Sequence, residues 1–303
     1  MINQFESAAP GFTRIAAEQA PIETVFTGMA FGEGPVWHAK QGRLYWTDII
    51  GSRIWTWQPG VGSALFREPT GHANGMIFDR QGGLLVAGWG SRSIWRIAPD
   101  GSTSTLVTSF QGKRLNSPND IVVTSDGTIF FTDPSRGLFI PGMGGEDGED
   151  LQRYLDNHPV FRLDGDGHLT EVISDVKYPN GLCFSPDESV LYVNDTDNRL
   201  IRRWDVGPGL ELSGGDVFYR QTGPEPGSPD GMKVDVEGNV YVTGLGGIQV
   251  VAPSGEYLGR IRLPSSATNF CWGGEDWQTM YITTHAEVLS VRLGIPGAPV
   301  VIE

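Results

Sequence analysis

Six times along the chain a carboxylate or an amide stands at the start of a short apolar run: Glu33, Asn74, Asn119, Asn180, Asp230 and Asn269. No Lys, Arg, aliphatic, His or Cys residue occupies any of these positions. A set made only of side-chain oxygens suits a hard divalent cation, Ca²⁺ first with Mg²⁺ or Mn²⁺ as alternatives, better than a soft metal. Glu33 and Asp230 together balance one divalent charge, and the amides add coordination without added repulsion. Glu33, Asn180 and Asp230 therefore lead as metal ligands, and Asn119 follows. Asn74 and Asn269 either support those ligands or serve the fold. The plainer reading is turn chemistry, because Asn-Gly and Asp-Gly pairs form tight turns. It suits the glycines, but Glu33 is a poor turn former and Asn119 is followed by Asp120.

The elements that position these residues repeat with them. After each head comes an apolar, β-branched or aromatic run, a polar turn, and a second such run. Examples are Val36-Trp37 with Leu44-Tyr45-Trp46-Thr47-Asp48, and Ile121-Val122-Val123 with Ile129-Phe130-Phe131-Thr132-Asp133. The pattern predicts antiparallel hairpins. A third strand and a weaker fourth follow most of them, as at Ile94-Trp95-Arg96-Ile97, Asp100-Gly101 and Thr105-Leu106-Val107. Repeats of about 40 to 60 residues holding four short strands mark a propeller. The chain is therefore expected to be all-β, a six-bladed β-propeller of four-stranded antiparallel blades.

Residues 1–20 are expected as an N-terminal extension and residues 21–303 as one propeller domain. Ring closure needs an edge partner for the last blade. Glu23-Thr24-Val25-Phe26-Thr27 is the candidate, with Val300-Val301-Ile302 beside it.

Composition agrees. The 303 residues include 42 Gly and 20 Pro, with 10% aromatic and 19% charged residues, which fits short strands and tight turns better than helices. A net charge of -14 argues against a phosphate-backbone partner and leaves cations and neutral substrates open. Neither an export signal nor a run of about 18 apolar residues is present, so a soluble, cytoplasmic protein with no membrane partner is expected. Cys183 and Cys271 fall in apolar strands and are expected as buried free thiols.

In a propeller the first strand of each blade lines the central channel, so the six heads converge at one mouth. Antiparallel pairing then brings Trp89, Pro134, Thr196, Leu245 and His285 to the same rim, each being just past a second strand. The longest departure from the repeat, residues 137–159, is acidic at Glu146-Asp147-Gly148-Glu149-Asp150 and carries a candidate short helix at 151–155. A loop of that size is a candidate lid. Asp48, Asp133 and Asp195 are expected to cap turns. Asp164-Gly165-Asp166-Gly167 begins like a calcium loop, but His168 and Leu169 fall where the EF-hand needs an oxygen ligand and its Gly, so it is read as a hairpin turn.

The stretches Phe31-Gly32-Glu33-Gly34-Pro35-Val36-Trp37, Arg114-Leu115-Asn116-Ser117-Pro118-Asn119-Asp120, Phe131-Thr132-Asp133-Pro134, Pro179-Asn180-Gly181-Leu182 and Pro229-Asp230-Gly231 resemble those of the regucalcin/gluconolactonase family, in order over residues 30–293. The resemblance implies a six-bladed propeller that hydrolyses sugar lactones with one divalent cation in its channel, Zn²⁺ joining the alternatives to Ca²⁺. It implies metal ligation by Glu33, Asn180 and Asp230, and a metal or substrate contact for Asn119. The chain departs from the family at the rim. It reads Gly88-Trp89-Gly90-Ser91-Arg92-Ser93 where a His and paired arginines are frequent, and Arg136 stands where an aromatic is common.

The expected reaction is opening of a sugar lactone by water, with Asp230 as general base and Glu33 beside it. Asn119, Asn74, Trp89, Arg136 and His285 are expected to contact the substrate. The rival readings are a phosphotriesterase-like hydrolase on the same site and a non-catalytic calcium-binding or protein-binding propeller.

Overall fold

The computed structural model describes residues 4–16, 20–139 and 155–303. It contains six antiparallel sheets of four or five strands, which are the six blades, and one two-stranded hairpin at Ser109–Phe110 and Lys113–Arg114. Blade one runs Gly32–His38, Arg43–Asp48, Arg53–Gln58 and Gly62–Arg67. Blades two to five start at Ala73–Phe78, Ile121–Val123, Pro179–Phe184 and Met232–Val234, and blade six starts at Ala267–Gly273.

Burial follows strand order. Every residue of Gly32–His38 is buried, whereas Gly62–Arg67 is almost wholly exposed. The first strands therefore lie innermost and the fourth strands outermost, as radial packing demands.

Each blade buries its faces only against its neighbours. Six apolar clusters result, one at each blade interface. Between blades two and three, for example, Leu85, Ala87 and Ile94 meet Ile121, Phe131 and Phe161. The Cys183 and Cys271 thiols lie inside such clusters, free and buried.

Glu23–Thr27 closes the ring by pairing antiparallel with Glu287–Arg292, Thr24 opposite Leu289. The Phe26 ring packs against Trp46 and Trp55 of blade one, each at 5.1 Å. Val300, Val301 and Ile302 do not join this edge, which Glu23–Thr27 already fills. The C-terminal segment instead crosses the inner strands. The Ala298 N–H bonds Val234 O of blade five, Val300 and Ile302 pack on the blade one and two cluster, and the Glu303 N–H reaches Arg80 O.

The first residues also join the packing. Phe5–Ser7 adds a fifth strand to blade five, Phe5 opposite Ile261. Phe12 and Ile15 of the one-turn α-helix Phe12–Ile15 are fully buried. The 164–167 turn is a hairpin, with the Gly167 N–H bonded to Asp164 O. The expected lid and its short helix fall mostly on residues 140–154, outside the described residues.

Candidate functional site

The head residues owe their direction to local irregularity. The strand register skips between Glu33 and Val36, between Ala73 and Met76, between Pro179 and Leu182, and between Ala267 and Asn269. Such bulges re-aim one side chain out of the pleat. Asn119 and Asp230 lie just before their strands, Ile121–Val123 and Met232–Val234.

Hydrogen bonds between blades then lock the heads. Thr47 Oγ1 donates to Asn74 O at 3.1 Å, Thr132 Oγ1 to Asn180 O at 2.8 Å, and Asn194 Nδ2 to Asp230 O at 2.5 Å. The Gly75 N–H bonds Asn119 O at 2.8 Å, and Thr268 Oγ1 donates to Gly32 O at 2.6 Å.

The glycines after the heads are not turn residues, contrary to the sequence expectation. Gly75, Gly181 and Gly231 all have ordinary negative or extended φ, and of this group only Gly34 has a positive φ, of 50°. Close approach between blades excludes a side chain there. A Cβ on Gly75 would sit 2.5 Å from Asn119 O, and one on Gly181 would sit 2.2 Å from Asp230 O.

Glu33, Asn74, Asn119, Asn180 and Asn269 are buried and Asp230 is half-buried. Glu33 Oε2 accepts from the Gly34 N–H at 2.6 Å and from Asn269 Nδ2 at 2.9 Å. Asn269 therefore supports Glu33. Asn180 Nδ2 donates to Thr196 Oγ1 at 3.2 Å, and Thr196 Oγ1 donates onward to Pro229 O at 2.7 Å, beside Asp230. Asn74 Oδ1 is buried and finds no partner among the described residues, so it is an acceptor awaiting a donor.

Two residues missed by the sequence reading complete the site. Asp120 is 2% exposed, and its Oδ2 lies 3.4 Å from Lys233 Nζ. A lone Lys inside an otherwise apolar inner strand was the available signal for Lys233.

Charge is crowded here. Burial, and then the Asp120 charge, push the Glu33 carboxyl up to about 7, against the Gly34 and Asn269 hydrogen bonds and the Lys233 charge. Burial also raises Asp230 well above the usual carboxylate range, with Glu33 and Asp120 adding to it and Asn180 opposing. Among the described residues no cluster of three or more His, Cys, Asp or Glu side chains could hold a metal. A cation here depends on amide oxygens beside Glu33 and Asp230. Hard oxygen donors, two strained carboxylates and an unpartnered amide oxygen fit such an ion.

A pH dependence follows from the Glu33 shift. With a folded value above the ordinary 4.5, the metal-free native state holds an extra proton between about pH 4.5 and 7, so its stability falls as pH rises through that window. Thermal melts in chelator are expected to show Tm declining from pH 5 to pH 8. A saturating divalent cation and Glu33→Gln should each make the decline shallower, with the buried Asp133, also raised, keeping part of it. A flat wild-type profile in chelator would contradict the assignment.

The rim is only partly as expected. Trp89 is buried against Ile49 with Phe31 beside them, and its Nε1 finds no partner among the described residues. Gly137 lies so close to Trp89 that a Cβ there would overlap the indole. His285 is exposed, its ring 4.5 Å from that of Phe31. The Arg136 guanidinium lies 4.1 Å over the Tyr178 ring and 2.8 Å from Asp197 Oδ1. Leu245 is fully buried and does not form the rim, because the segment around Gly223 and Gly227 covers it.

Asp48, Asp133 and Asp195 do hold backbone N–H groups, of Phe31, Asn116 and Lys177 respectively. Asp133 is fully buried, which pushes its carboxyl up to about 8 against the Asn116 bond and the Arg92 charge.

Fold and site together define a six-bladed propeller with an oxygen-lined site at the head of its channel. The chain belongs to the SMP-30/gluconolactonase/LRE-like family, whose description matches residues 31–286. It is 33% identical to a gluconolactonase of Zymomonas mobilis, over 96% of this chain and 86% of that protein. It is 30% identical to a pentonolactonase of Haloferax volcanii, over 86% of this chain and 83% of that one. Among solved structures, a gluconolactonase of Xanthomonas campestris superposes with a TM-score of 0.86 at 33% identity, covering 96% of this chain and 95% of that one.

Proposed function

We propose that the protein is a metal-dependent hydrolase that opens sugar lactones. The observation that carries the reading is the pairing of Glu33 and Asp230, both held above their usual range by burial, with Asp120 repelling Glu33 and both Glu33 and Asp120 repelling Asp230, beside the amides of Asn180 and Asn119. Gluconolactonase and pentonolactonase activity in similar chains supports lactones as the substrate class.

Glu33, Asn180 and Asp230 would hold the cation, with Asn119 as the further ligand or substrate contact. Once bound, the ion supplies Lewis-acid stabilisation of negative charge on the lactone carbonyl oxygen. Asp230 accepts the proton as water oxygen bonds to the carbonyl carbon. The ring C–O bond then breaks, and Asp230 returns the proton to the leaving alkoxide. Asn74 Oδ1, with no donor among the described residues, would accept from a substrate hydroxyl. The exposed His285 would offer a ring face to the sugar and Arg136 a cation, while Trp89, buried against Ile49, would act from behind the rim.

The substrate class is tested by comparing hydrolysis of glucono-1,5-lactone, a pentonolactone and a phosphotriester by the same metal-loaded preparation. Preference for the lactones is the expected result. Turnover confined to the phosphotriester, or no turnover at all, would overturn it.

A further inference from the structure

Among the described residues, Lys233 is the one cationic side chain in the lining of the inner channel below the heads. Its neighbours there are Val36, Ile77, Val122, Cys183, Cys271 and Trp272, around a cavity of about 190 Å³ floored by Ala298, Pro299 and Val300. The stem lies along this apolar wall while the ammonium turns toward the site, as a long cationic side chain does when its stem packs on apolar surface and its head finds polar partners. Its Nζ donates to Met232 O at 3.1 Å, Asn269 Oδ1 at 3.3 Å and Asp120 Oδ2 at 3.4 Å.

One ammonium therefore holds one head, Asn269, directly, and Asp120, which follows another. Asn269 Oδ1 accepts from Lys233 and from the Phe270 N–H, which turns its Nδ2 toward Glu33 Oε2. Asp120 is held by the Ile121 N–H on Oδ1 and by Lys233 on Oδ2, and it carries Asn119 directly before it. The formal charge of Glu33, Asp120 and Asp230 is three negative, and Lys233 reduces it to two.

We propose that Lys233 is a positioning residue and built-in counter-charge of the cation site, lowering its affinity for the divalent ion and keeping the metal-free channel folded. The inference rests on the metal reading above. A positive charge fixed beside the ligands, on Asp120 and on the Asn269 amide that holds Glu33, repels an entering cation, and removing it leaves the Glu33, Asp120 and Asp230 carboxylates with no fixed counter-charge. A unit charge at this range in a protein interior changes binding by about tenfold or more.

The test is calorimetric titration of Ca²⁺ and Mn²⁺ into metal-stripped wild type, Lys233→Met and Lys233→Gln, with melts in chelator and in excess cation. Lys233→Gln keeps a hydrogen-bond donor without the charge, and so serves if the Met variant folds poorly. Both variants are expected to bind cation about tenfold tighter or more, and to lose more Tm in chelator than with cation. Unchanged or weaker affinity in a folded Gln variant overturns the proposal, as does an equal loss of Tm with and without cation, the mark of a packing role alone. If wild type itself binds none of the cations, the metal reading fails as well.

Discussion

Replacing Asp230 by Asn or Glu33 by Gln is expected to lower lactone kcat/KM by about a thousandfold or more while leaving the propeller folded, a loss of about 4 kcal/mol of transition-state stabilisation. Each change keeps the shape of the side chain and removes a negative charge. Glu33 has two hydrogen-bond donors, the Gly34 N–H and Asn269 Nδ2, and a neutral amide can still accept from them. Burial and repulsion already burden both carboxylates, so neutralising one relieves the empty channel. Stability in chelator should therefore rise or hold as activity and cation affinity collapse. A variant that keeps wild-type turnover would remove that residue from the chemistry. Asn180→Leu removes one amide oxygen without touching charge, so it should weaken cation binding and leave the fold intact.

Gly181→Ala is expected to destabilise the protein by about 3 kcal/mol or more, a drop of roughly 6 to 10 °C in Tm. The new methyl would lie 2.2 Å from Asp230 O and 2.9 Å from Met232 N, both main-chain atoms of blade five. Relief requires moving blades four and five apart, which breaks the Asn194 Nδ2 bond to Asp230 O. Cation affinity should fall with stability, because Asp230 belongs to the displaced segment. Gly165→Ala is the control: nothing lies within 4 Å of its Cβ position and its φ is not positive, so a change within about 0.5 kcal/mol is expected. Equal melting temperatures for the two variants would contradict the interblade contact.

The blade architecture was legible because each hairpin carries its own period, turn and head residue, and six copies reinforce one another. Closure by Glu23–Thr27 was legible from a β-rich segment standing outside any repeat. The role of Gly75, Gly181 and Gly231 was not, since the Asn-Gly and Asp-Gly pairs read as local turns while the constraint comes from the next blade. The course of Val300 and Ile302 was hidden for a similar reason. Their apolar character fits a strand edge and an interblade cluster equally well. Lys233 escaped notice because its partners, Asp120 and Asn269, lie 113 and 36 residues away in sequence. The site heads were visible as a set of oxygen donors, but their charge balance appears only when blades three, five, six and one are brought together.

The central claim is that the oxygen-lined channel mouth works through a bound divalent cation. The most direct measurement is a pH-indicator assay of glucono-1,5-lactone opening by metal-stripped protein, with Ca²⁺, Mg²⁺, Mn²⁺ and Zn²⁺ added back in turn and Asp230→Asn carried in parallel. The expected result is background turnover when stripped, recovery that saturates with at least one cation, and no recovery in the variant. Full turnover by the stripped wild type, or equal recovery in Asp230→Asn, would contradict the account.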